Sequence, residues 1–175
     1  MKKTIALLVL ALLVATSLFA ADPAEGYWAS YDDKTGKITA GWQIWQEGGK
    51  LNGKIVALAG FDATATADNC EDSYDGFPFA TGPVNKMTVV GTTWLWGLNP
   101  VKNKPGQWSQ GFIIDPDSGG YYYCAVTYNE PNTRVSGKRY SMATLKMRGS
   151  LDKLGVAGRN QIWQKVTEAE AKAIK

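Results

Sequence analysis

Histidine is absent from all 175 residues. That excludes a histidine-based nucleophilic triad, an imidazole general base and a histidine zinc site. Cysteine is scarce: only Cys70 and Cys124. No base is near either to activate a thiolate. No glycine-rich phosphate loop precedes a helix. Neighbouring acids occur at Asp32-Asp33 and Glu71-Asp72, but adjacent residues of a strand point to opposite faces, which argues against a cooperating carboxylate dyad. Asp115, Asp117 and Gly119 have the opening spacing of a calcium loop. Pro116 interrupts it and no bidentate glutamate follows, so the segment reads as a turn closed by its own side chains. No catalytic constellation, metal site or cofactor is expected. Charge of one sign is lacking too, since the formal net charge is only +3; nothing draws the chain to nucleic acid.

Long apolar runs are confined to the beginning. Lys2 and Lys3 precede an uninterrupted apolar stretch from Ile5 to Ala15, and a small-residue segment leads to Ala20 and Ala21. This is the pattern of a removable export signal with cleavage after Ala20. The run falls short of the roughly 18–20 residues of a bilayer span. The mature chain, 21–175, is expected to be one domain without a transmembrane segment, periplasmic or secreted.

What the mature chain has in plenty is aromatic residues and turn formers: seven Trp, eight Tyr and 19 Gly. Aromatic and β-branched residues between glycine-containing turns favour strands. Eight are expected, over 26–32, 37–46, 51–59, 87–98, 107–114, 121–128, 142–149 and 156–165. The period of two is clearest in the second, where Ile38, Ala40, Trp42 and Ile44 share a face. Gly48-Gly49 marks a hairpin. Thr167 and Glu170 have capping-box spacing, which predicts a short C-terminal helix. Sequential antiparallel strands joined by hairpin-length turns, with one apolar face to bury, point to an all-β, eight-stranded up-and-down barrel.

The segment 60–85 is a long loop with little alternation, and loops of this length are usually functional or pinned. It carries Cys70. In an oxidising compartment Cys70 and Cys124 are expected to form a disulfide, stabilising by on the order of 4 kcal/mol. The bridge would staple the loop over a mouth of the barrel as a lid, with Phe61, Phe77 or Phe79 plugging it. The alternative is a buried free thiol at Cys124 and a loop lying outside.

The opening Gly26-Tyr27-Trp28 resembles the G-x-W of lipocalin-type barrels. The chain as a whole resembles the domain-of-unknown-function 2147 family of small exported bacterial proteins. The matching pieces are Leu51-Asn52-Gly53-Lys54-Ile55, Trp108 with Gly111, Ile113 and Asp115-Pro116, then Gly119 with Tyr122, Leu145 to Gly149, and Gly158 to Trp163. Glu47-Gly48-Gly49-Lys50 stands where many relatives carry closely spaced cysteines, so no redox role is carried over. The resemblance implies a lipocalin-like barrel with a ligand cavity and no settled activity. It also implies that Trp28 and Arg159 pack together across the closed end.

Strand parity selects Trp42, Ile44, Ile55, Tyr122, Val126 and Met147 as barrel-lining candidates, with Gly53, Gly91 and Gly111 leaving volume between them. The expected partner is a small apolar or amphipathic molecule held inside the barrel. The competing expectation is a filled barrel whose loops grip an envelope component or another protein.

Overall fold

A computed structural model describes residues 21–175; the expected export signal, 1–20, lies outside the described residues. The barrel strands are β1 (Gly26–Tyr31), β2 (Ile38–Glu47), β3 (Lys50–Leu58), β4 (Thr93–Pro100), β5 (Gln107–Asp115), β6 (Gly120–Asn129), β9 (Thr144–Ser150) and β10 (Gly158–Val166). Each pairs antiparallel with the next, and β1 closes on β10. The two-residue strands β7 (Arg134–Val135) and β8 (Lys138–Arg139) form a separate hairpin on the β6–β9 connection. The all-β, eight-stranded up-and-down barrel expected from the turn spacing is the observed fold.

The fourth strand begins later than its apolar run suggests. Residues 87–92 belong to the preceding loop, where Val89 donates to the Ala65 carbonyl (2.9 Å) and Ala67 to that of Met87 (3.0 Å). The C-terminal helix α1 (Glu168–Lys172) carries the expected capping box, Thr167 and Glu170 each bonding the other's backbone N–H. So short a helix is marginal alone. It docks on the outer face of the barrel through fully buried Ala171. Gly41 makes the approach possible, because a Cβ there would sit 2.1 Å from the Ala171 carbonyl oxygen.

The up-and-down order puts the β1–β2, β3–β4, β5–β6 and β9–β10 connections at one end of the barrel. The N-terminal segment crosses the other. There Trp28 Nε1 donates to the Ala24 carbonyl (2.9 Å), and Trp108 Nε1 to Asp22 (3.1 Å). Gly106 N also donates to Asp22 (3.3 Å), so one carboxylate ties the N-terminal segment to the start of β5.

Candidate functional site

Alternation along the strands sends two sets of large side chains to opposite faces of the wall. Trp42 pairs with Trp28 across β1–β2 and with Ile55 across β2–β3; Val126 pairs with Met147 across β6–β9. Trp42 stacks on Trp163, centroids 4.5 Å apart. Its Nε1 donates to Ser30 Oγ (3.2 Å), which satisfies the polar edge of a buried indole. Five of the parity-selected residues, Trp42, Ile44, Ile55, Val126 and Met147, face the interior with 1–5 % of their surface exposed. They pack into one another rather than around a void. The sixth, Tyr122, is half-buried towards the looped end.

The glycines expected to leave volume do not leave it. A Cβ at Gly53 would lie 2.5 Å from Ile44 Cδ1, and one at Gly111 2.4 Å from Leu98 Cγ; the aliphatic side chains have moved into the space. Gly91 is not in the interior at all. It sits in the loop before β4 with φ of +90°.

The second set covers the outside. Leu95 shares the inner face with Gly53 and Ile113, so its neighbours Trp94 and Trp96 point outwards. An apolar outer wall must be buried against something, and the 60–92 segment supplies the cover. Phe77 lies parallel to Trp94 at 5.9 Å and tilts on Trp96 at 5.0 Å, with Phe79 at its edge. Trp96 stacks on Tyr121 (5.9 Å) and Phe112 (5.6 Å). The pad is pinned by polar bonds. Tyr74 donates to the Gly119 carbonyl (2.7 Å), Tyr121 to that of Asp75 (3.2 Å) and Trp94 Nε1 to that of Val89 (2.8 Å). Of the two expectations for this loop the structure has the second, a loop lying outside: Phe77 and Phe79 pack on the outer wall rather than in a mouth of the barrel.

The expected Cys70–Cys124 disulfide is corrected, since both residues are free, buried thiols. Cys124 lies on the inner face between Gly111 and Gly149. Cys70 belongs to the outer pad, beside the β5–β6 turn at Gly119. The barrel wall stands between them. Burial pushes the Cys124 thiol up to about 12 and raises that of Cys70 as well, so neither is a thiolate nucleophile near neutral pH.

The Trp28–Arg159 pair is corrected as well. Because β1 runs antiparallel to β10, Trp28 lies opposite Lys165. Lys165 Nζ sits 4.3 Å from the Trp28 ring centroid and also donates to the Glu25 carbonyl. Burial lowers its pKa. Arg159 is exposed, opposite Gly149 and six residues earlier on β10, about 20 Å along the strand. Arg159→Ala is accordingly expected to change stability by no more than about 0.5 kcal/mol. Lys165→Ala, which removes both the cation and the stem packed on Trp28, is expected to cost about 1–2 kcal/mol. Urea unfolding of the two variants measures the difference.

Asp115 accepts from Asp117 N (3.2 Å) and Ser118 Oγ (2.8 Å), the turn chemistry expected for that segment. Among the described residues no group of three or more potential metal ligands comes together.

An open volume lies outside the barrel. A groove of about 630 Å³ runs between the outer face of β3, the start of the 60–92 segment and the end of α1. Val56, Leu58, Phe61, Ala63, Val90 and Ile174 supply apolar lining, and Lys172, Lys175 and Asp62 its charges. Phe61, one of the expected plugs, exposes 66 % of its surface there. Sequence parity had no means of finding this groove, because its walls come from a strand's outer face, a loop and a helix that docks late in the chain.

A closed eight-stranded meander with its end crossed by the N-terminal segment and a short helix on its flank defines a lipocalin-like barrel. The chain belongs to the family described as an uncharacterized protein conserved in bacteria (DUF2147), whose model matches residues 26–165. In fold it is similar to protein HP1028 from the human pathogen Helicobacter pylori, described as belonging to the lipocalin family. That likeness has a TM-score of 0.63 at 18 % identity and covers 86 % of this chain and 88 % of the other. No curated protein matches the sequence.

Proposed function

We infer that the protein is an exported, non-catalytic binding protein for a small amphipathic molecule, which it holds in the groove between β3 and the end of α1. The observation that carries this reading is the groove itself. Its volume of about 630 Å³ falls in the range of small-molecule sites, roughly 300–1,000 Å³. The barrel interior, by contrast, is filled. Apolar walls suit an apolar body; Lys175 offers a cation for an acidic head, while Lys172 is already paired with Glu168. The fold supports binding over chemistry, as does the absence of an imidazole or an activated thiol. The segment 1–20 supports export, and the ligand would then be met outside the cytoplasm.

Native mass spectrometry of the protein purified from its own envelope tests this. A recurrent bound mass is expected, and the variant Ala63→Trp/Val90→Glu, which fills the groove and charges it, is expected to lose that mass. A bound mass indifferent to these changes would move the site elsewhere. A bare protein would favour the second reading, an envelope interaction protein with a filled barrel, for which the packed interior speaks.

A further inference from the structure

The β9–β10 connection is built unlike an ordinary solvent loop. Leu154 exposes 89 % of its surface, Val156 78 % and Leu151 72 %, and these are the three most exposed large hydrophobics among the described residues. Single exposed aliphatics need no explanation, but three within six residues form a patch.

The loop is also held stiff. The Asp152 carboxylate accepts from the backbone N–H groups of Leu154 (2.9 Å), Val156 (3.1 Å) and Ala157 (2.6 Å). Arg148 reaches up from β9 and donates to the carbonyls of Gly155 (2.6 Å) and Val156 (3.1 Å). Leu151 N bonds the Ala157 carbonyl (2.8 Å), and Gly155 N that of Asp152 (3.1 Å). Backbone groups that would otherwise demand water are thus tied within the loop while its aliphatic side chains point away. That is what an apolar medium requires of a segment entering it.

The surroundings fit the same medium. Lys153 lies 5.9 Å from the Tyr123 ring centroid, and Tyr121, Tyr122 and Tyr123 flank Leu151 around a hollow of about 180 Å³. Tyrosines and long cationic side chains beside an aliphatic tip are the residues of a lipid headgroup layer. The loop itself, 148–159, carries Arg148, Lys153 and Arg159 against Asp152, an excess that complements an anionic surface; the neighbouring β5–β6 turn brings Asp115 and Asp117 to the same end of the barrel.

We propose that the β9–β10 loop is a preformed finger that docks the barrel on an anionic lipid surface, with Leu151, Leu154 and Val156 entering the acyl boundary. The proposal is independent of what the groove binds.

Co-sedimentation with vesicles of phosphatidylethanolamine and phosphatidylglycerol tests it, using residues 21–175 so that the apolar first twenty residues contribute nothing. The protein is expected to partition onto these vesicles, more weakly onto neutral phosphatidylcholine, and less at high salt. Leu154→Asp/Val156→Asp alters only exposed side chains; it is expected to keep its circular dichroism and unfolding midpoint while partitioning falls at least tenfold. Lys153→Gln should weaken binding to the anionic vesicles by about fivefold and leave binding to neutral ones unchanged. The groove variant Ala63→Trp should partition like the parent. Failure of the parent to partition, or equal partitioning of the folded double variant, overturns the proposal. A parent that ignores vesicles but retains a specific envelope protein through Leu154 overturns it in favour of a protein partner.

Discussion

Trp163→Ala is expected to destabilise the protein by about 3–5 kcal/mol. Trp163 exposes 1 % of its surface and forms one half of the interior stack with Trp42. Truncation loses the transfer free energy of an indole and leaves a cavity that the surrounding β-branched and aromatic side chains, fixed by their strands, fill only in part. The same change has a second consequence. The space vacated is walled by Trp42, Leu145 and other apolar groups, so it should stay dry and admit a small apolar probe. Urea unfolding gives the stability loss, and benzene or xenon binding, present in the variant and absent from the parent, shows that the parent interior is full. An indifferent stability would mean that the stack is solvated and the barrel hollow.

The second large effect is alkaline. Cys124 is fully enclosed, and burial pushes its thiol from 9.0 up to about 12. Below pH 9 the thiol is neutral in both folded and unfolded chains, and stability does not depend on it. Above that, the unfolded thiol gives up its proton while the folded one keeps it. The unfolded state is favoured by about 1.4 kcal/mol for each pH unit until the folded thiol also ionises. The loss from this one group approaches about 4 kcal/mol between pH 9 and pH 12. Tyr74, likewise held up to about 12 by burial, adds to it from pH 10 upwards. Stability in urea followed across this range should fall steeply in the parent. In Cys124→Ala the limb that starts at pH 9 should be missing, leaving the tyrosine contribution. Thiol counting gives a companion result: Cys124 should resist modification in the folded protein, and unfolding without reductant should release two thiols per chain.

The parts of this structure legible in the sequence are those fixed by the period of two. Trp42, Ile44, Ile55, Val126 and Met147 all face inwards because each shares its strand's apolar parity, and Gly48-Gly49 closes the β2–β3 hairpin where its positive φ values are needed. Parity says which way a side chain points and nothing about whether the side chains opposite meet it. The filling of the barrel by Ile44, Leu98 and Leu95 over Gly53 and Gly111 depends on strand register, which bulges shift in both β2–β3 and β5–β6.

The outer pad was hidden for a different reason. Trp94, Leu95 and Trp96 are apolar on both faces of one strand, so alternation vanishes where two cores share a wall. That run is itself the signal for a covered outer face, and the aromatic loop 74–79 is the cover. Lys165 was within reach of sequence reasoning. In a closed antiparallel barrel an early residue of the first strand meets a late residue of the last, which selects Lys165 over Arg159 as the cation on Trp28.

The barrel is full and the proposed binding site lies on its flank, and a brominated amphiphile places that site directly. A crystal soaked in a bromine-tagged long-chain carboxylic acid should show anomalous bromine density in the groove beside Val56 and Ile174, with the carboxylate towards Lys175. Density on the barrel axis between Trp42 and Met147 would contradict it.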